Sequence, residues 1–336
     1  MTTQSTLLTA TDRAYGALLG LAIGDALGMP TQSMSQEAIA HRYGLLTGFV
    51  DATHDQPIAP GMPAGSVTDD TEQAILVGEL LLSGGGHIEA GRFAAALLEW
   101  EQSMIERGSR DLLGPSTKAS LNALQAGQSI DEAGRYGTTN GAAMRISPVG
   151  IMYSRGPELM SAVVEACQVT HNTGLGISAA AAVAAGVSAG IDGAEVPEAL
   201  DAAIDAALAG QVLGHWVAGA SVARRYLGLR PLARSLGDAE FSDFLYEVVG
   251  TSVQSQESVV SALLIIDRYQ DAPFNGLCVA ASLGGDTDTI AAIAGAVLGA
   301  CSGSTAFPES VHDGLISANP ELNLRLLSHR LLELRR

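Results

Sequence analysis

The sequence predicts an all-α protein, a compact multi-helix bundle. Three observations carry that expectation. Long stretches repeat their apolar residues at helical spacing, and no run alternates apolar with polar residues as a half-buried strand would. Apolar residues make up 47% of the chain and aromatics only 4%, with 39 glycines, a mix suited to helices packed closely over small side chains. No composition break marks a linker, so residues 1–336 are expected to form a single domain.

The elements follow in order. Thr11-Asp12 can cap a first helix whose apolar run, Ala14 to Leu27, is interrupted by one charge, Asp25, and ends at Met29-Pro30. Ser35 to Tyr43 reads as a short helix. The segment from Gly44 to Gly65 carries Pro57, Pro60 and Pro63 among several glycines, which predicts a long irregular loop. Loops of this length in compact domains are often functional. Periodicity then predicts helices near 69–83, 88–107, 116–126, 157–171, 174–190, 196–209, 212–226, 239–249, 256–269, 273–282, 287–300 and 319–334. The stretch from Thr138 to Ile151 reads as a glycine-containing loop with one helical turn.

Charge narrows the function classes. The net charge is -18 and Lys118 is the single lysine, so neither a nucleic-acid backbone nor an anionic membrane is an expected partner. Cys167, Cys278 and Cys301 share no metal-type spacing, and an odd count without a framework fits reduced thiols. Met1 to Ala10 lacks the basic start and apolar run of a signal peptide. Gly176 to Ile191 is too short and too weakly hydrophobic for a membrane span. The expectation is a soluble cytoplasmic protein, a monomer or small homo-oligomer.

Two acidic helix starts stand out. Thr68-Asp69-Asp70-Thr71 runs into one apolar helix, and Gly284-Gly285-Asp286-Thr287-Asp288-Thr289 runs into another. Capping alone needs one oxygen acceptor, and each start offers several. Adjacent carboxylates repel, so keeping them ionised beside an apolar helix calls for a cation. Oxygen donors without Cys or His suit Mg²⁺ or Mn²⁺ rather than zinc. Two such ions roughly 3.5–4 Å apart would make a two-metal site, provided the fold unites the starts. Gly284-Gly285 lets the backbone turn sharply and approach a ligand closely.

Other stretches add binding chemistry. A lone acid such as Asp25 is either a hydrogen-bonded structural group or a group facing a site; its flanks, Gly24 and Gly28, favour the site. Thr138-Thr139-Asn140-Gly141-Ala142-Ala143-Met144-Arg145 offers hydroxyls, an amide, N–H groups and a guanidinium, which are phosphate- and ribose-binding materials. A simple turn with Asn-Gly at its corner is the alternative. His171, predicted at a helix C-terminus and in its inward phase, is either a dipole partner or a ligand contact.

Together these stretches resemble the ADP-ribosylglycohydrolase family, which includes dinitrogenase-reductase-activating glycohydrolases, ADP-ribosyl-acceptor hydrolases and J-crystallins. The matching pieces are Gly24-Asp25-Ala26-Leu27-Gly28, Thr68-Asp69-Asp70-Thr71, Asn140 to Arg145, Thr170-His171 and Gly284 to Gly295, in the family's order across nearly the whole chain. The resemblance implies an orthogonal all-α bundle with a central cleft holding two divalent cations, Mg²⁺ or Mn²⁺. It implies hydrolysis at the anomeric carbon of a ribose, removing ADP-ribose from a protein side chain or an ADP-ribosyl compound. By position it implies Thr68, Asp69, Asp70, Asp286, Asp288 and Thr289 as metal ligands, with Asp70 and Asp288 also catalytic. Asp25, Gln32, Thr139, Asn140, Gly141, Arg145, His171, Gly284 and Gly285 fall at its substrate-binding positions. One departure stands out: many family members carry glutamate where this chain has Gln32, and an amide is no general acid or base. That leaves two alternatives beside ADP-ribosyl hydrolysis, a hydrolase of a small N-riboside and a catalytically weak ADP-ribose-binding protein. A two-metal phosphohydrolase fits less well, because no lysine or arginine cluster flanks the carboxylates.

Overall fold

A computed structural model describes residues 8–109 and 113–336. The first half holds α1 (Ala10–Gly28), α2 (Gln36–Arg42), α3 (Asp69–Ser83), α4 (Ala90–Glu106), α5 (Pro115–Gln125), α6 (Ile130–Ala133), α7 (Gly141–Met144), α8 (Ser147–Met152) and α9 (Pro157–Cys167). The second half holds α10 (Gly174–Ile191), α11 (Val196–Gly210), α12 (Val222–Ser235), α13 (Asp238–Phe244), α14 (Ser255–Arg268), α15 (Pro273–Ala281), α16 (Thr287–Ser302), α17 (Glu309–Ala318) and α18 (Leu324–Glu333). No sheet occurs among the described residues. Three isolated bridges, Met34 with Gly285, Thr139 with Gln254 and Thr173 with His215, tie loops together at one end of the bundle.

A glycine ladder sets the centre. Gly16, Gly20, Gly24 and Gly28 recur every four residues and so form one bare stripe along α1. That stripe lies antiparallel against Gly299, Gly295, Ala291 and Asp288 of α16. A Cβ at Gly20 would fall 2.1 Å from the Gly295 carbonyl oxygen, so the two backbones touch. Beside this pair lies α10, long and apolar enough to cross a membrane, with every residue buried inside the protein. One apolar core runs from Ala14 to Leu331 around these three helices.

Several boundaries differ from the sequence reading, each for a local reason. The helix predicted over 157–171 stops at Cys167, and Thr170 to Asn172 continue as a loop. The helix predicted over 212–226 instead spans Val222–Ser235, opened by Ser221, whose hydroxyl accepts the Arg224 N–H at 3.4 Å. Pro231 lies inside that helix and reads in sequence as a breaker. The helix predicted over 319–334 begins only at Leu324, and an unpredicted helix, Glu309–Ala318, precedes it; Asn319, which comes before a proline, ends that earlier helix by leaving the helical region (φ −134°, ψ 69°). The Thr138–Ile151 stretch holds two short helices rather than one turn. The 44–65 segment is irregular, as its prolines predict, and internal bonds fix it: Gln56 Oε1 takes the Ile58 N–H and the Asp51 carboxylate takes the Ala64 N–H.

Candidate active site

The glycine ladder ends where the chemistry begins. Gly28 lies against Asp288, where an added Cβ would sit 2.3 Å from the Asp288 Cα. Thr287 Oγ1 donates to the Gly28 carbonyl at 3.0 Å, fixing the start of α16 on the end of α1. Gly284 and Gly285 both take positive φ, 90° and 80°. Gly285 N–H donates to Met34 O at 2.9 Å, and its Cβ position lies 2.3 Å from the Thr251 carbonyl. The Gly285 backbone is thus engaged by protein partners, and neither glycine lines the cleft described below.

The other acidic start is held from behind by Asp25. Its carboxylate accepts the Thr68 N–H at 2.9 Å, the Thr68 hydroxyl at 2.7 Å, the Thr71 N–H at 3.1 Å and the Thr71 hydroxyl at 2.5 Å. Asp25 is fully buried, faces these partners and does not line the cleft described below. Four donors around one carboxylate satisfy it internally. They also direct the Thr68 hydroxyl proton inward, which leaves that oxygen's lone pairs for another partner.

The two starts converge. Thr289 Oγ1 donates to Asp70 Oδ2 across the join at 3.3 Å. Neither start uses its N-cap side chain in a capping hydrogen bond, so capping does not account for the acids. Burial pushes the Asp70 carboxyl well above its ordinary value, and the charges of Asp69, Asp288, Asp25 and Asp286 push it further. Burial raises Asp286 to about 6 against the opposing hydrogen bonds from Asn140 and Thr289. Burial likewise raises Asp25 to about 6 against its bonds to Thr71 and Thr68. Asp70 Oδ1 is buried without a hydrogen-bond partner. An orphaned carboxylate oxygen amid four other carboxylates, with only oxygen donors around it, fits a hard divalent cation. Thr68, Asp69, Asp70, Asp286, Asp288 and Thr289 are the residues placed to hold one or two.

A cleft of about 280 Å³ opens over these acids. Asp69, Asp286, Asp288 and Thr289 floor it, Thr139, Asn140 and Gly141 form one wall, and Gln32 with Ser33 forms another. The Thr139 wall is anchored by Asn140 N–H on Val253 O at 2.9 Å and by Asn140 Nδ2 on Ser258 Oγ at 2.9 Å. Asn140 Nδ2 also donates to Asp286, linking wall to floor. Gln32 is nearly buried and its Nε2 has no hydrogen-bond partner. Sequence reasoning missed Ile58, Leu113 to Pro115, Thr117, Met144 and Val253, which also line the cleft. They are apolar or turn residues without a chemical signature; only the long loop before Thr68 hinted at Ile58.

Two further expected contacts sit behind the wall. His171 is fully buried, its Nε2 3.0 Å from Thr139 Oγ1 and its Nδ1 2.8 Å from Thr170 Oγ1. Burial, with Arg145 nearby, holds its imidazole well below the ordinary value and therefore neutral. Arg145 is buried under the Phe93 ring and donates to Gln73 Oε1 and Thr170 Oγ1, both at 2.7 Å. Neither side chain lines the cleft; both stand behind the wall expected to contact substrate. Outside the cleft, Asp131, Glu132 and His215 form an acidic group with metal-type spacing. Asp131 there takes the Asn172 amide at 3.0 Å and pairs with His215 at 3.4 Å, bracing the loop beyond His171.

Comparison with known proteins gives the same picture from another direction. The chain is 31% identical over 312 residues to the uncharacterized protein YegU of Escherichia coli K12, covering 92% of this chain and 93% of that one. It is 25% identical over 302 residues to the ADP-ribosyl-[dinitrogen reductase] glycohydrolase of Rhodospirillum rubrum, covering 88% of each. A solved structure described as an ADP-ribosylglycohydrolase-related protein complex superposes with a TM-score of 0.71 at 24% identity, covering 97% of this chain and 99% of that one, which shows a shared fold. The family model for ADP-ribosylglycohydrolase matches residues 6–336. With its glycine-laddered helix pair and the two acidic starts it joins, the chain belongs to the ADP-ribosylglycohydrolase family, whose members are metal-dependent hydrolases.

Proposed function

We propose that this chain hydrolyses the bond at the anomeric carbon of the ribose in an ADP-ribosyl compound, either an ADP-ribosylated protein side chain or a small ADP-riboside. The observation that carries the reading is the convergence of both acidic starts at a cleft walled by Thr139-Asn140-Gly141, with Asp69, Asp286 and Asp288 on its floor and Asp70 Oδ1 buried and unpartnered beneath them. Thr68, Asp69, Asp70, Asp286, Asp288 and Thr289 would hold two divalent cations, Mg²⁺ or Mn²⁺. When bound, such a pair supplies Lewis acidity and lowers the pKa of water.

The remaining steps belong to the protein. Asp288, on the cleft floor, and Asp70, buried beneath it, would orient the attacking water, and their negative charge would stabilise the positive charge that builds on the ring carbon. Asn140 fixes the Asp286 carboxylate, and Thr139 and Gly141 present hydroxyl and N–H donors to ribose and phosphate oxygens. Gln32 can hydrogen-bond the leaving group but cannot protonate it. That amide also favours a second reading, hydrolysis of a small N-riboside whose leaving group departs unaided. The three cysteines are buried and unpaired, which supports a cytoplasmic setting.

The test offers the purified protein arginine-linked, serine-linked and small ADP-ribosyl substrates with Mg²⁺ or Mn²⁺ and measures free ADP-ribose. Release should stop in chelator and fall by about 10²–10³-fold in Asp288→Ala, the scale of losing one transition-state contact. No release from any of the three classes with either cation would overturn the reading. Free base released from simple N-ribosides instead would move the assignment to the second reading.

A further inference from the structure

We propose that Arg145 is a positioning residue that couples the acidic floor of the cleft to its ribose-side wall. The inference rests on the proposed ligand assignments and extends them to a residue that touches no ligand. Arg145 is the one lysine or arginine classed as buried among the described residues, at 1% exposure. No carboxylate lies within ion-pair distance of it in the described residues, and its fork is divided between two neutral acceptors. Each acceptor begins a separate arm.

One arm runs to the floor. Gln73 Oε1 accepts from Arg145 Nη1 at 2.7 Å, which fixes the amide so that its Nε2 donates to Asp69 Oδ2 at 3.2 Å. The other arm runs to the wall. Thr170 Oγ1 accepts from Arg145 Nη2 at 2.7 Å, so its own proton goes to His171 Nδ1 at 2.8 Å. A neutral imidazole that accepts at Nδ1 carries its proton on Nε2. That proton is donated to Thr139 Oγ1 at 3.0 Å. Thr139 lines the cleft, and its hydroxyl proton is then left for an oxygen of the ligand. The polarity of the whole chain follows from one fact, that a guanidinium only donates.

Arg145 also brings a buried positive charge to within one bridging side chain, Gln73, of Asp69. A lysine would keep that charge but could not hold both arms in fixed geometry.

Three variants separate the arms, each read by calorimetric titration with Mn²⁺ alone and with ADP-ribose at saturating Mn²⁺. Gln73→Met should weaken Mn²⁺ binding about tenfold, the usual scale for losing an outer-shell partner, and leave ADP-ribose affinity at saturating Mn²⁺ within about twofold. Thr170→Val should do the reverse. Arg145→Lys should lower both affinities while thermal unfolding stays cooperative, and Arg145→Met, if it folds, should do so more strongly. In ¹⁵N spectra His171 should be the Nε2–H tautomer in the parent protein and lose that preference in Thr170→Val. The proposal is overturned if Arg145→Lys binds both like the parent, if Gln73→Met and Thr170→Val weaken both equally, or if His171 carries its proton on Nδ1. A parent protein that binds neither Mn²⁺ nor ADP-ribose sinks the functional reading instead, so the two failures are distinguishable.

Discussion

Gln32 concentrates the functional question in a single side chain. Its Nε2 is buried and unpartnered at the edge of a cleft whose floor is anionic. A carboxyl placed there, close to Asp69 and Asp288, would have its pKa raised by burial and by like charge, the conditions that keep a general acid protonated near neutral pH. Gln32→Glu is therefore expected to raise turnover of arginine- or serine-linked ADP-ribose by about 10²-fold and to add a limb to the kcat–pH profile. Turnover unchanged at every pH would show that the leaving group needs no proton from this position. Residue chemistry was readable in sequence here because Gln32 stands in a motif. Direction was not. Asp25, Arg145 and His171 each read as site-facing, yet each turns to partners far along the chain: Thr68 and Thr71, Gln73 and Thr170, Thr139. A carboxylate or guanidinium in a sequence does not say which of its possible partners the fold delivers.

At the scale of elements, the contact between α1 and α16 decides where the acids stand. Both helices are apolar all round, so their amphipathic signal is weak and nothing in the pattern names their partners. Gly295 and Gly299, four residues apart, permit a close neighbour; the matching Gly16–Gly28 stripe on α1 lies within a hydrophobic run that does not single it out. The interior helices 69–83 and 287–300 lay close to their predicted bounds, because their starts carry polar residues that stop the apolar phase abruptly. The helix predicted over 319–334 starts late, at Leu324, because Asn319 ends the preceding helix and holds the loop before Thr68, its amide donating to the Gly65 carbonyl at 2.8 Å. Gly20→Ala tests the ladder. Helix propensity alone would favour the alanine by about 1 kcal/mol. The methyl would meet the Gly295 carbonyl at 2.1 Å, however, and backbone cannot give way as a side chain does. A net loss of about 2–4 kcal/mol in denaturant unfolding is expected. Because the ladder ends at Gly28 and Asp288, Mn²⁺ binding should weaken as well. A variant as stable as the parent would mean the two helices can separate freely.

The whole molecule carries a net charge of -18, and part of it is gathered at one buried point. That makes stability depend on pH with a sign that the cation reverses. In the metal-free protein Asp25 and Asp286 are raised to about 6, and Asp70 too is held well above the ordinary 3.8. A carboxyl with a raised folded value binds its proton better in the native state, so stability rises as pH falls through that value and is lowest above it. His171 acts oppositely. Its imidazole is held well below 6.5, so the unfolded chain takes up that proton first and stability falls as pH drops below 6.5. His312, lowered by partial burial, acts in the same sense as His171, so three raised carboxyls oppose two lowered imidazoles and the carboxyls set the sign. Paired acids such as Asp267, whose value lies below 3.8, lose their contribution only at lower pH and leave this window undisturbed. Chelator-treated protein should therefore melt higher at about pH 5.5 than at about pH 7.5. Saturating Mn²⁺ should invert the order, because ionised ligands bind it better. Asp70→Asn removes a raised carboxyl that faces four other acids and should flatten the metal-free profile. Scanning calorimetry at both pH values, with and without Mn²⁺, reads all of this directly. A metal-free protein that melts lower at about pH 5.5 than at about pH 7.5 would mean that the five acids do not confront one another, and the cleft would have no need of a cation.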